Sequence, residues 1–447
     1  MTDAKVGSSF LSSPPGRLSS ASCLTIQALA ACFRSKVSAS RWTMAPPFLI
    51  TIWAVKAFEP SLRVRPIIVP MVRHEPPKYD IVVHSWQNRA KSAGKGTIRD
   101  SGQMAQTTEN SQKVHETPSR RFCVAPMMDW TDRYCRYFHR LLTRHALLYT
   151  EMLTTGAVLH GDRGRLLGYD PAEHPVALQL GGCEPKALAD SARIGEEFGY
   201  GEINLNVGCP SDRVQEGRFG ACLMAEPALV ADGVAAMKAA VRVPVTVKCR
   251  IGIDEQDPEE TLFGFAGQVK RAGADALIVH ARKAWLRGLS PKENREVPPL
   301  DYALVHHLKA AHPDWPIVLN GGVGSVEQAL AEMKELDGVM MGRAAYQEPW
   351  RLLAVDPAFF GAPAPFASPK EAARALIPYI ERELSHGSKL SSISRHVLGL
   401  FRAVPGARAF RRHLATEAVK AGADARVLDD AIALVLDTSA NISHIAA

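Results

Sequence analysis

The chain has 447 residues, 46% of them apolar and 22% charged, the balance of an ordinary globular protein rather than of a low-complexity or fibrous one. Its longest apolar run, Pro47 to Val55, stops at Lys56, well short of the ~20 residues a membrane-spanning helix needs. The formal charge of +7 is local: residues 1–103 hold 14 Lys/Arg against 5 Asp/Glu, and the rest holds 39 basic and 41 acidic residues, so overall basicity does not argue for a nucleic-acid partner.

Residues 1–118 are rich in Ser, Pro and Arg and show neither sustained periodicity nor strand–helix alternation. An Arg- and Ser-rich, acid-poor start superficially resembles a transit peptide. The plainer reading takes Met104 as the start of the working protein and the upstream stretch as an extension. Weak order is expected across 1–118 on either view.

From Phe122 short apolar runs alternate with helical stretches. The runs are 122–127, 147–152, 175–180, 202–207, 244–249, 276–281, 316–321 and 338–342. Runs of five or six residues, nearly continuous in Val, Ile and Leu, are the signature of parallel strands buried on both faces. Segments 185–198, 225–241, 258–272 and 325–335 between them carry Ala, Leu, Glu and Lys at helical spacing. Eight such β-then-α units predict an α/β fold, a closed (β/α)₈ TIM barrel over residues 119–362. A doubly wound open sheet is the alternative, but no G-x-G-x-x-G follows the first strand. Beyond a Pro- and Ala-rich break at 361–369 the pattern is helical only, which predicts a C-terminal α-helical domain over 363–447.

Chemistry in a barrel sits where strands meet the loops that follow them. The predicted strand ends carry Pro126, Met127 and Met128, then Glu151, Gln179, Asn204 to Cys209, Lys248 with Arg250, His280 with Arg282, Asn320-Gly321-Gly322, and Gly342-Arg343. Asn-Gly-Gly and Gly-Arg at the last two strands suit a phosphate, since glycines let backbone N–H groups approach an anion and Arg343 adds a forked donor. Lys248 and His280 flank the mouth, where a fixed cation would stabilise an anionic reduced flavin ring and Gln179 would pair with its pyrimidine edge. A Schiff base on Lys248 is the other reading of that lysine.

In the stretch EINLNVGCPSD (202–212) a strand delivers two asparagines and then a Gly-Cys-Pro turn presenting Cys209. By itself such a cysteine also fits a buried structural role. The eight cysteines show no C-x-x-C pair, which argues against a disulfide framework or a structural metal and suits a reducing cytoplasm. Asn204 and Asn206 are two apart on one strand and face the same side. A further cluster lies at 389–420, where Lys389, Arg395, Arg402, Arg408, Arg411, Arg412 and Lys420 stand against Glu417 alone.

Taken together, VAPMMDWTDRYCRYF, LLYTEMLTTGAVLHG, HPVALQLGG, EINLNVGCPSDRVQEGRFGACLM, PVTVKCRIGID, HARKAWLRGLSPKENREVPPLDY, LNGG and PGARAFRRHL resemble the tRNA-dihydrouridine synthases, most closely their A subfamily. The resemblance spans roughly residues 120–440 and does not extend to 1–118. It implies reduction of uridines 20 and 20a in the tRNA D-loop to 5,6-dihydrouridine by a flavin barrel using FMN and NADPH. It implies FMN contacts from Pro126, Met127, Met128, Gln179, Lys248, His280, Asn320, Gly321, Gly322, Gly342 and Arg343. Cys209 would be the proton donor, and Asn206, Lys292, Arg295, Arg408 and Arg411 would contact the tRNA. A cytoplasmic monomer that needs no metal is expected.

The implied chemistry accounts for the residue types. Hydride added at uracil C6 leaves negative charge on C5, which needs a proton from a group beside the ring. A thiol ordinarily titrates near pH ~8.5 and is mostly protonated at neutrality, so it serves as a general acid. The target base must leave its stack to reach such a site, leaving the surrounding RNA to be gripped by shape and phosphate contacts. The loop after the sixth strand, with Arg287, Lys292 and Arg295, is expected over the barrel mouth. Two rivals remain at this level: a flavoenzyme acting on a free pyrimidine, which would have no use for a basic helical domain, and an RNA-binding protein without catalysis, which would not need Cys209, Lys248 and His280.

Overall fold

The computed structural model describes residues 117–436. Eight parallel strands, β1 (Phe122–Val124), β2 (Leu147–Thr154), β3 (Val176–Gly181), β4 (Glu202–Val207), β5 (Val245–Arg250), β6 (Ala276–His280), β7 (Ile317–Asn320) and β8 (Gly338–Met341), close into a barrel in chain order. The closing pair sets Phe122, Cys123 and Val124 opposite Val339, Met340 and Met341. The predicted (β/α)₈ class is therefore the observed one. The first strand stops short of the apolar run 122–127 that announced it. The Ala125 N–H still bonds the Met341 carbonyl, but Pro126 has no N–H to carry the ladder on, and the chain swings to the barrel mouth. The expectation of weak order over 1–118 falls, apart from Thr117 and Pro118, outside the described residues.

Local chemistry fixes the helix starts. Helices α1 (Arg133–Leu142), α2 (Pro185–Glu197), α3 (Pro227–Ala240), α4 (Pro258–Arg271), α5 (Tyr302–Ala311) and α6 (Val326–Glu332) clothe the barrel. Three of them, α2 to α4, begin at a proline, whose fixed φ suits the first helical position and whose missing N–H costs nothing there. Asp132, Asp257, Asp301 and Ser325 cap their helices by accepting backbone N–H bonds.

Alternation along each strand sorts side chains into two layers. One set, with Phe122, Val124, Leu178, Ile203, Val245 and Leu277, packs against the helices. The other fills the barrel, and that filling is uneven. Cys123, Ala125, Leu147, Tyr149, Ala177, Ile278, Val318 and Met340 make an apolar interior cluster. On β3 to β5 the alternate positions instead hold Gln179, Glu202, Asn204, Asn206 and Thr246, all buried.

Past Gly361 the chain is helical: α7 (Pro369–Ala375), α8 (Ile377–Ser385), α9 (Leu390–Ser394), α10 (Ala407–Glu417) and α11 (Arg426–Ala433). This segment is seated on α1. Tyr137 stacks on Tyr379 with centroids 3.7 Å apart, Tyr134 bonds Ser388 at 2.9 Å, and Asp132 holds Arg395 at 2.6 Å and His396 at 3.0 Å.

Candidate functional site

The strand ends open onto a cavity of about 660 Å³. Pro126, Met127, Met128, Gln179, Asn206, Cys209, Lys248, His280, Arg295, Asn320, Gly321, Gly322, Gly342 and Arg343 all line it. Residues up to 217 positions apart in the chain thus share one chamber because parallel strands put all their C-terminal ends on one face. Lys292, Arg408 and Arg411 do not line it.

Cys209 is half-buried on the turn that follows β4. Its backbone N–H and that of Gly208 donate to Asn206 Oδ1 at 3.0 and 3.1 Å, and its thiol donates to Ser211 Oγ at 3.6 Å. The next loop folds back over it: the Ala221 N–H reaches the Cys209 carbonyl at 2.8 Å. Gly220 makes that return possible. Its φ is +78°, and a Cβ there would lie 2.5 Å from the Cys209 carbonyl oxygen.

The adjoining wall, on β5 and β6, is positive, with Lys248 in register beside Asn206. The Lys248 ammonium lines the cavity and has no hydrogen-bond or ion-pair partner among the described residues. Burial, reinforced by the Arg250 charge, draws its pKa down to about 8. Arg250 is buried and spends its guanidinium on carbonyls, those of Gly208, Lys283 and Asn294, so no carboxylate among the described residues neutralises it. Burial, then Arg250 and Lys248, push His280 well below the ordinary imidazole value, and the ring is neutral at physiological pH. The Gly321 backbone runs at φ +107° directly against this ring, and a Cβ there would sit 2.5 Å from His280 Cδ2. An anionic group would find here uncompensated cations and close backbone.

The remaining wall is built by β1 and the segment after β8. Thr131 fixes the turn after β1, accepting the Met127 N–H at 2.9 Å. Asp129 adopts φ +62° and gives its N–H to Glu151 at 2.5 Å. Burial raises the Glu151 carboxyl. Met128 is 54% exposed at the rim, and Trp130 stacks on Tyr346 at 4.3 Å.

Some partners were not legible beforehand. Arg343 is paired with Glu296 at 2.5 Å, which ties the loop after β6 to the end of β8. Asn294, buried in that loop, accepts the Trp285 N–H and donates to the carbonyls of Trp285 and Leu289. Beneath the mouth, Glu202, Thr246 and Tyr149 are joined to Gln179 by buried hydrogen bonds. The alternation Glu-x-Asn-x-Asn in β4 is the sequence signal from which Glu202 can be placed on the same face as Asn204 and Asn206.

Of the basic cluster at 389–420, three members are engaged: Arg395 with Asp132, Arg402 with Glu348 and Lys420 with Glu417. Arg408, Arg411 and Arg412 are exposed on one face of α10, at i, i+3 and i+4, and make no ion pair among the described residues.

Residues 123–435 match the family model described as Dihydrouridine synthase (Dus). The chain is 57% identical over 333 residues to the tRNA-dihydrouridine(20/20a) synthase of Escherichia coli (strain K12), covering 74% of this chain and 96% of that one. It is 58% identical over 319 residues to the protein of the same name from Yersinia pestis, covering 71% and 92%. The Vibrio cholerae protein of that name is 57% identical over 320 residues, covering 71% and 98%.

Proposed function

The chain belongs to the dihydrouridine synthase family, and we propose that it reduces uridines 20 and 20a of the tRNA D-loop to 5,6-dihydrouridine, with FMN bound in the barrel mouth and NADPH as the electron source. The observation that carries this reading is that the Cys209 turn opens onto the same cavity as Lys248, Gln179, His280 and the glycines ending β7.

The residues present fit FMN. An unpartnered ammonium at Lys248 and a cradle that a Cβ at Gly321 would fill are the complements of an anionic ring edge and a closely approached ligand. Pro126, Met127, Met128, Gln179, Lys248, His280, Asn320, Gly321, Gly322, Gly342 and Arg343 would hold it. When bound, FMN supplies the hydride that adds to uracil C6.

The protein's own work is positioning and proton delivery. Cys209 Sγ gives its proton to C5 as the C5 carbanion character develops, and the S–H bond breaks as the C5–H bond forms. The thiolate left behind sits within the field of Lys248 and Arg250, both electrostatically coupled to the sulfur, and solvent restores the proton. Asn206 borders the cavity and, with one Nδ2 proton donated to Gln179, keeps its second for the base. Lys292 and Arg295 on the loop after β6, with Arg408 and Arg411 on α10, grip the RNA while the uridine is extruded. Residues 363–447 form the tRNA-binding domain in this scheme. A cytoplasmic monomer without a metal is the expected assembly; no helix among the described residues is long and apolar enough to cross a membrane.

The test is direct. Purified protein with FMN and NADPH is incubated with unmodified tRNA, and dihydrouridine is mapped by position. Product at 20 and 20a is expected. Turnover of free uridine at a comparable rate, or no product in tRNA, overturns the proposal.

A further inference from the structure

The amide groups at the mouth have their polarity set from the far end of the barrel. Glu202, Asn204 and Asn206 occupy alternate positions of β4 and all face the interior, at 0%, 0% and 9% exposure. Register places Gln179 and Thr246 beside Asn204 on the flanking strands. At the base, Glu202 Oε2 accepts from Arg120 Nε at 2.7 Å, and its Oε1 accepts from Tyr149 and Thr246 hydroxyls, each at 2.6 Å. Arginine can only donate, and burial followed by the Glu202 charge pushes the Tyr149 phenol far up, so it too remains a donor. The carboxylate is therefore an acceptor throughout.

Each further direction follows. Thr246 has given its proton to Glu202, so it accepts from Asn204 Nδ2 at 2.8 Å. Asn204 must then turn Oδ1 to Gln179 Nε2, at 2.8 Å. Gln179 turns Oε1 to Asn206 Nδ2, at 2.9 Å. Asn206 is left with Oδ1 facing the Gly208 and Cys209 N–H groups. Reversing Asn206 would set N–H against N–H at the Cys209 turn, and reversing Asn204 or Gln179 would set like groups against each other further down the chain, in each case with the cost of a buried, unsatisfied donor.

We infer that Thr246 and Glu202, neither of which lines the cavity, are positioning residues that act through Asn204, Gln179 and Asn206 to hold the Cys209 turn in its proton-delivering geometry. The inference rests on the reading of Cys209 as proton donor. Tyr149 supplies an internal control, because it makes the same kind of buried bond to the same carboxylate but lies off the path to Asn206.

The experiment compares Thr246→Val, Thr246→Ser and Tyr149→Phe in the full chain. Thr246→Val should lower kcat for dihydrouridine formation about tenfold, with KM for tRNA within about twofold, the size expected for one misdirected buried hydrogen bond. It should also change the iodoacetamide alkylation rate of Cys209, read by peptide mass spectrometry. Thr246→Ser should recover both, and Tyr149→Phe should leave both near wild type. Equal effects of Thr246→Val and Tyr149→Phe, or no recovery by serine, overturn the relay. Hydrogen exchange of the Gly208 and Cys209 amides in the unaltered protein tests it without any variant: protection supports it, and loop-like exchange sinks it. If Cys209→Ala still makes dihydrouridine at the wild-type rate, the proton-donor reading falls instead, while alkylation and exchange still judge the relay.

Discussion

The two sides of the barrel interior are filled by different means. Around β1, β7 and β8 the filling is Cys123, Ala125, Val318 and Met340, side chains held chiefly by volume, with one thiol bond from Cys123 to the Arg120 carbonyl. Across β3 to β5 the same layers hold Gln179, Glu202, Asn204, Asn206 and Thr246, held by hydrogen bonds with a fixed sense. Apolar packing tolerates substitutions that conserve volume, whereas a directed chain fails when a single donor becomes an acceptor. The polar side is also the side that ends at Cys209 and Lys248. Under the proposed function, a hydrogen-bonded wall beneath Cys209 and a packed wall elsewhere would separate what positions the chemistry from what keeps the barrel closed.

That contrast is open to attack at several strengths. The largest effect is expected at the tip of the polar side. Cys209→Ala should cut dihydrouridine formation on the order of a thousandfold, within the range for loss of a general acid, while reduction of bound flavin by NADPH continues at its normal rate. Stopped-flow absorbance beside product mapping separates the two; equal loss of both half-reactions means the residue has another role. In the apolar cluster stability is expected to fall instead of turnover. Leu147→Ala, fully buried in the interior cluster, should lower unfolding free energy by about 2–5 kcal/mol and leave turnover per folded molecule nearly unchanged, as denaturant titration and active-site counting would show.

Outside the barrel, Arg408→Ala with Arg411→Ala should weaken tRNA binding about tenfold at low salt and reduce the slope of log K against log salt by about 1.5 to 2, one increment per lost phosphate contact. An unchanged slope removes α10 from the RNA surface. The smallest effect concerns pH. With its folded pKa lowered to about 8, Lys248 is charged below that pH and increasingly neutral above it. The charged form favours the electron-rich pyrimidine edge of the ring, so FMN affinity of the flavin-free protein should be steady between about pH 7 and 8 and fall several-fold between about pH 8 and 9. Fluorescence titration reads this, and Lys248→Met should abolish the pH dependence.

Read as a linear string, the chain already contained the eight strands, four of the helices between them and the polar strand ends, because parallel strands buried on both faces must be short and apolar and barrel chemistry must lie where they stop. Cys209, Lys248 and His280 stand among those strand-end residues on that ground, and only the family resemblance singles them out. Glu202 was visible only as the first member of an alternation, and nothing adjacent revealed its partners: Thr246, Tyr149 and Arg120 lie 44, 53 and 82 residues away. The pairing of Arg343 with Glu296, 47 residues apart, was equally hidden. Periodicity is a local property, set by which face of an element meets apolar neighbours. The sense of a buried hydrogen bond depends on which strand lies alongside and in what register, and closure of the barrel alone decides that.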